Sequence, residues 1–494
     1  MPLMRMIKHS QFSAILVIVG MMLLFGCTTQ EPIVIVVTPT LDPNAITATA
    51  VPTLAPTQTS TETGVPTLSP TPTIPTETNT PAPSNTPDPS MPTATFRGPV
   101  TDPNYVLPTL PPVTTTLVPI PTITPTPGGP TETPGPSPTP VPRLDYSRMG
   151  LQIYSQSEQV DFEVAISLAQ ETGVGWIKVQ VNWAFLQPNG PQDTERLQLF
   201  ERQMESAARP GFNILLSVAK APAWARSNQT EDGPPDNPQL LADFLTLILN
   251  TKVGEVTDAI EVWNEPNLIR EWRGSLPFSG GGYMQLFDAA HDAIRAYSPT
   301  LTIVTAGLAP VGPNVPGAVD DRAFFQQMYN AGLAQYADIV IGVHPYGWGN
   351  APDARCCTPG GDRGWDEDPR FFFLDTIEAY HNIMVASGDI DAKMWLTEFG
   401  WATWEGIPAA APETWMTYNS AQNQASYAIR AFEIGQSLPY VGLMFLWNLN
   451  FTEGADPLRD EVTGYAIINT AVTPRERPLF RILSLATGAS RQAP

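Results

Sequence analysis

From Arg143 onward the chain alternates short, near-continuous apolar runs with stretches whose apolar residues recur every three or four positions. The apolar runs predict strands over Met149–Tyr154, Gly175–Val181, Phe212–Val218, Ala259–Asn264, Leu301–Ala306, Asp338–His344, Lys393–Glu398 and Tyr440–Trp447. Between them, Leu197, Phe200, Met204 and Ala207 fall on one face of a helix that closes toward Arg209-Pro210-Gly211. After an Asn237-Pro238 start, Leu240, Leu241, Phe244, Leu245 and Ile248 share a face of another. Eight strand-helix pairs over about 350 residues predict an α/β fold, a (β/α)8 TIM barrel. The strands lack an in-out alternation, as a sheet covered on both faces requires.

The preceding segment has no such periodicity. Residues 28–142 hold 29 Pro and 31 Thr and no Trp, whereas all 12 Trp of the chain lie beyond them. Proline fixes φ and removes backbone donors, so this stretch is expected to be a disordered, extended Thr/Pro-rich linker rather than a packed unit. Ahead of it, Arg5 and Lys8 precede an apolar run from Phe12 to Phe25 that is short for a membrane span and fits an export signal. Leu24-Phe25-Gly26-Cys27 resembles a bacterial lipobox, which implies that Cys27 is lipidated and anchors the chain to the cell membrane on the extracytoplasmic side. An ordinary secretory signal is the alternative. The expected organisation is therefore 1–27 signal peptide, 28–142 linker and 143–494 catalytic domain.

Charge narrows the partners. A net charge of −22 argues against nucleic acid, whose affinity is built from Lys and Arg footprints. The four His, at positions 9, 291, 344 and 381, show no zinc spacing, and neither a Gly-x-Ser-x-Gly elbow nor a phosphate-binding Walker loop is present. No metal or cofactor is expected, and the chain is expected to work as a monomer. Adjacent Cys356 and Cys357 either bond to each other or stand as two thiols.

Loop lengths point to one working face. Turns from helix into strand are short, while 345–368 and 400–418, both following strands, are long and contain Gly and Trp. Most Trp fall at strand C-terminal ends or in the next loop, where indole faces can stack on sugar rings; Trp224, Trp401 and Trp447 are candidates for that contact. Ordinary packing accounts for about half of the set. Two strand ends carry a glutamate each: Trp263-Asn264-Glu265-Pro266-Asn267 closes the fourth and Thr397-Glu398-Phe399-Gly400 the seventh. These strands face each other across a barrel mouth, and a pair of carboxyls flanking one bond is what glycoside hydrolysis needs.

The two motifs resemble the acid/base and nucleophile motifs of glycoside hydrolase clan A, the retaining (β/α)8 enzymes, and are most similar to family 39 and the cellulase-like families. The resemblance covers Asp145 to the C-terminus. It implies Glu265 as general acid/base, Glu398 as nucleophile, Asn264 on the sugar 2-hydroxyl, His344 and Tyr346 as orienting groups, and Trp447 as floor of the subsite that holds the attacked sugar. Lys178 stands where many clan members have a strand-two Arg, and the third strand ends without the His found in several clan families. The expectation is a retaining β-glycoside hydrolase acting on a poly- or oligosaccharide, with the carboxyls about 5 Å apart. A carbohydrate-binding protein on an inactive barrel and a transglycosylase are the alternatives.

Overall fold

A computed structural model describes residues 141–228, 232–357 and 367–489. Cys27, the signal peptide and residues 28–140 of the linker lie outside these residues. No helix among the described residues is long and apolar enough to cross a membrane.

Eight parallel strands close into a barrel in chain order. They are β1 (Met149–Ile153), β2 (Trp176–Asn182), β3 (Asn213–Ala219), β4 (Ala259–Val262), β5 (Thr302–Thr305), β6 (Ile339–Val343), β7 (Met394–Phe399) and β8 (Val441–Leu446). Closure is the β1–β8 pairing, with Met149 opposite Met444 and Leu151 opposite Leu446. Eight helices of ten or more residues follow the strands: α1 (Gln159–Thr172), α2 (Leu197–Ala208), α3 (Gln239–Leu249), α4 (Gly280–Tyr297), α5 (Asp321–Asn330), α6 (Phe373–Ala386), α7 (Ala421–Ser437) and α8 (Pro478–Thr487). The (β/α)8 barrel read from the sequence is thus observed, each strand lying within two residues of its expected span.

Each helix turns its apolar stripe inward. On α3 the buried Leu241, Phe244, Leu245 and Ile248 are the periodic residues themselves. Local chemistry sets the ends: Ser279 accepts from Gly282 N to cap α4, Ser420 accepts from Asn423 N to cap α7, and Gly173 takes a φ of +73° to end α1. Outward-facing strand residues such as Ile177, Val179, Ile260 and Leu396 join this helix layer in the main core. The inward-facing set at the barrel's lower end is a separate apolar plug of Leu215, Ala259, Val304, Trp395, Leu443 and Phe445, with Trp176 and Trp395 edge to face at 5.4 Å.

Helix-to-strand links are short, as at 173–175 and 209–212, whereas strand-to-helix links such as 220–238, 263–279, 400–420 and 447–477 are long. All of the long links gather at the C-terminal ends of the strands, the end where this fold places its sites.

Candidate active site

The end of β4 is bent into an unusual path. Trp263 and Glu265 adopt φ of +74° and +47°, a region that costs a non-glycine residue roughly 1–3 kcal/mol and persists only where surroundings fix it. They are fixed here by named contacts. Trp263 donates its backbone N–H to Val218 O (2.9 Å) and its indole N–H to Glu271 O (3.0 Å), and Glu265 N–H donates to Gly307 O (3.0 Å). Tyr283 Oη on α4 donates to Val262 O and accepts from Ala306 N, tying the ends of β4 and β5 together. Asn267 donates to Ala309 O and accepts from Ala309 N. The twist brings the Glu265 carboxyl into the mouth, where its residue is 2% exposed.

The end of β7 uses a bulge. Its register against β8 shifts between Leu396 and Phe399, so that strand carries one extra residue there. Leu396 and Phe399 remain in the outer core while Thr397 and Glu398 sit between them. Glu398 is 4% exposed.

The two carboxylates meet at His344. One ligand atom each from Glu265, His344 and Glu398 lies within 4.8 Å of the other two. His344 Nδ1 shares a hydrogen bond with Glu265 Oε1 (3.1 Å) and stands 3.9 Å from Glu398 Oε2. Burial, followed by the positive charge of Lys178, pushes the His344 pKa down to about 3, so the ring is neutral at working pH. A Cβ on Gly307 would lie 2.2 Å from the His344 ring; only glycine lets the ring occupy this place.

Lys178, fully buried on β2, makes two hydrogen bonds and a further ion pair through its ammonium. Nζ donates to Glu398 Oε1 (3.2 Å) and Thr397 O (3.1 Å), and meets Glu261 Oε2 at 2.9 Å. Burial alone would lower its pKa, but Glu261 and Glu398 outweigh that and hold it above the ordinary value. Tyr346 Oη donates to the other Glu398 oxygen (3.0 Å), and burial and then the charge of Glu398 push the phenol well up, so it remains a donor. Burial first, then the charge of Glu398, holds Glu265 well above the usual carboxylate range, opposed by Arg270 and Lys178. Asn264 is buried with its Oδ1 unpartnered, and Trp447 with its indole N–H unpartnered; Tyr346 and Trp447 pack edge to face at 6.3 Å.

The structure therefore collects Lys178, Glu265, His344, Tyr346 and Glu398 around one space, with Trp447 packed on Tyr346. The structure does not bring Trp401 into that space. Its ring is 1% exposed among Phe373, Phe399 and Tyr427, and its N–H is donated to Asn350 O, so it is core and not cleft. Trp224 is half-buried, edge to face with Trp183, and its N–H is taken by Gln187 O, which leaves no donor for a ligand. Trp183, Trp263, Trp272, Trp348 and Trp415 are also fully buried. Packing claims most of the tryptophans, a larger share than the sequence reading allowed. Trp365 lies outside the described residues.

Two residues of the site carry no sequence motif. Glu261 is a fully buried acid inside a strand, and Arg270 is 9% exposed, 3.9 Å from Glu265 Oε2 and 3.8 Å from Glu271 Oε1. An acid in the apolar run Ala259-Ile260-Glu261-Val262 is itself the available signal, since a buried charge demands a partner. Glu265, His344 and Glu398 stand close enough to hold a cation, but Lys178 already occupies one carboxylate and Arg270 lies beside the other, which opposes a divalent ion there.

No family model matches the chain. No curated protein matches it either. Solved structures similar to it include a family 39 glycoside hydrolase from Bacteroides cellulosilyticus, 16% identical at a TM-score of 0.49, covering 70% of this chain and 65% of that one. A glucosidase from Croceicoccus marinus is 12% identical at 0.47, covering 71% and 69%. A family 53 glycoside hydrolase catalytic domain from Ignisphaera aggregans is 16% identical at 0.46, covering 70% and 98%. The chain thus spans just under two thirds of the first of these. The barrel assignment rests on the strand pairing described above.

Proposed function

We propose that this barrel is a retaining glycoside hydrolase that cleaves β-linked poly- or oligosaccharides by double displacement. The observation that carries the reading is the separation of the carboxylates. One oxygen each of Glu265 and Glu398 lies within 4.8 Å of the other, which supports the short separation of retaining enzymes, about 5–5.5 Å, over the about 6.5–9.5 Å that leaves room for a water in inverting ones.

Glu265, kept protonated by burial and by its neighbour, gives its proton to the glycosidic oxygen as the bond to the leaving sugar breaks. Glu398 attacks the anomeric carbon and forms a glycosyl ester. Glu265, now a carboxylate, takes a proton from water, whose oxygen displaces Glu398 and releases the sugar with its configuration retained. Lys178 and Tyr346 hold the two Glu398 oxygens, the ammonium serving in place of a guanidinium fork. Asn264 is assigned to the 2-hydroxyl and Trp447 to the ring face of the attacked sugar, each having a buried polar atom without a partner.

The test is incubation of the full chain with a panel of β-glycans, following the anomer of the first product by NMR. First release of the α-anomer contradicts retention. Equal glycan binding by wild type and Glu398→Gln with no product from either identifies a binding protein, and chains longer than the substrate identify a transglycosylase. We further propose that the enzyme works outside the cytoplasm, tethered through lipidated Cys27 with residues 28–142 as spacer. Metabolic labelling with a palmitate analogue, lost in Cys27→Ala, tests this.

A further inference from the structure

At the C-terminal end of the barrel, the ends of β1 and β2 and the segment 451–462 after β8 enclose a hollow of about 170 Å3. It is well below the about 300 Å3 of the smallest drug-sized pockets, which is room for a single sugar unit and not for a chain. Its place relative to the site follows from strand geometry. Lys178, Gln180 and Asn182 share the inward face of β2 at steps of two residues, about 6.6 Å each, so Gln180 stands one step above the ammonium that holds Glu398. An aromatic path leads the same way. Tyr346, whose hydroxyl is on Glu398, meets Trp447 at 6.3 Å; Trp447 meets Phe451 at 5.8 Å; Phe451 meets Tyr154 at 5.7 Å, edge to face. Phe451 and Tyr154 are walls of the hollow.

The lining has the chemistry of a sugar site: two aromatic rings beside the amides of Gln156, Gln180 and Asn182. Gln180 Nε2 is buried without an acceptor, a donor whose desolvation is uncompensated until a ligand oxygen arrives. The cation on this wall, Lys220, is tied to Asp232. A second, smaller hollow shares Ser155, Gln156, Gln180 and Asn182 and prolongs the first toward Phe185.

We propose that this hollow binds the sugar unit next to the one that is attacked, on its non-reducing side, and that the unit is an uncharged hexose or pentose recognised through the Gln180 amide. The inference rests on the glycoside hydrolase reading. The leaving group departs on the Glu265 side, whereas the chain of ring contacts that ends at the hollow starts from Tyr346, the residue hydrogen-bonded to Glu398. Lys220, the cation lining the first hollow, is already paired with Asp232 and so is not free to hold a uronate there. The site is thus open beyond the attacked sugar, and the enzyme prefers substrates with at least two units on that side of the bond.

The test uses the full chain and p-nitrophenyl β-glycosides of glucose, xylose, mannose and galactose, each as monosaccharide and as the corresponding disaccharide. Wild type is expected to favour the disaccharide by tenfold or more in kcat/KM for the sugar it accepts. Gln180→Ala in β2 and Tyr154→Ala just after β1 are each expected to lower that ratio about tenfold. No preference in wild type, or a ratio unchanged in either folded variant, overturns the proposal. So does a disaccharide ending in glucuronic acid that is cleaved better than the neutral one. If no glycoside is cleaved, the hydrolase reading falls, and calorimetry on Glu398→Gln decides the hollow separately. Binding of neutral tri- or tetrasaccharides that is lost when Gln180→Ala is added supports it; no binding overturns it.

Discussion

The same strands build two inward-facing regions of opposite character. At the lower end Trp176, Ala259, Trp395, Leu443 and Phe445 fill the barrel with rings and aliphatic groups. Two residues further along β2 and β4 stand Lys178 and Glu261, and two or three further along β7 stand Thr397 and Glu398. The lower set is apolar apart from its two indole N–H groups, of which Trp176's is donated to Ser147 O (3.1 Å), whereas Gln152, Ser217, Thr397 and Asn264 in the upper set keep buried polar atoms without partners. Burying such atoms costs about 1–3 kcal/mol each, so the upper layer lowers stability while assembling charge, and the lower layer and the helix shell make up the difference. Position along a strand, not the strand itself, decides which purpose a residue serves.

Substitutions at the two levels separate these purposes. Glu398→Gln is expected to reduce kcat on the order of 10^4-fold while thermal unfolding shifts little, because the amide keeps the volume and loses the nucleophile. Phe445→Ala reverses the pattern. It opens a cavity in the plug, costs about 3–5 kcal/mol in chemical denaturation, and leaves kcat per folded molecule near wild type. Lys178→Met lies between the levels and combines both effects. It strands Glu261 and Glu398 as buried charges, with a loss of about 3–5 kcal/mol, and removes the group that holds the nucleophile. Adding Glu261→Gln should recover part of that stability, since the orphaned charge goes with it, and recover no activity. Equal denaturation midpoints for Lys178→Met and wild type would sink this account of the triad.

The architecture was legible in the sequence because a buried parallel strand is an uninterrupted apolar run, and eight of them alternating with amphipathic stretches leave few other folds. The glutamate pair was legible because each sits at the end of such a run, where only the mouth can receive it. Glu261 was harder: its partner Lys178 lies 83 positions earlier, and nothing local announces the pairing. Arg270 sits in a single helical turn after β4 with no periodicity to place it. The tryptophans misled for a physical reason. A large ring that is amphipathic suits a sugar and a core equally well, and only the packed neighbours of Trp401 decide between them.

The smallest effect is also the one that probes the mouth most finely, the influence of Arg270 on Glu265. Around that carboxyl stand Glu398 from β7, His344 after β6, Lys178 from β2, and Arg270 and Glu271 after β4. Burial, Glu398 and Glu271 raise its pKa; Arg270 and Lys178 lower it; His344 is neutral. Arg270→Gln removes a lowering charge, so Glu265 is expected to titrate higher and the alkaline limb of kcat/KM, which reports loss of its proton, to move up. The same change makes Glu265 a slower acid in the first step. In the second step its higher basicity is offset, because the carboxylate it must become has lost its nearest cation. Arg270→Lys should return most of the shift, whereas a residue that served packing alone would leave the limb in place and lower only the yield of folded protein. An alkaline limb that moves down in Arg270→Gln contradicts the sign of the interaction and with it the assignment of Glu265 as the acid.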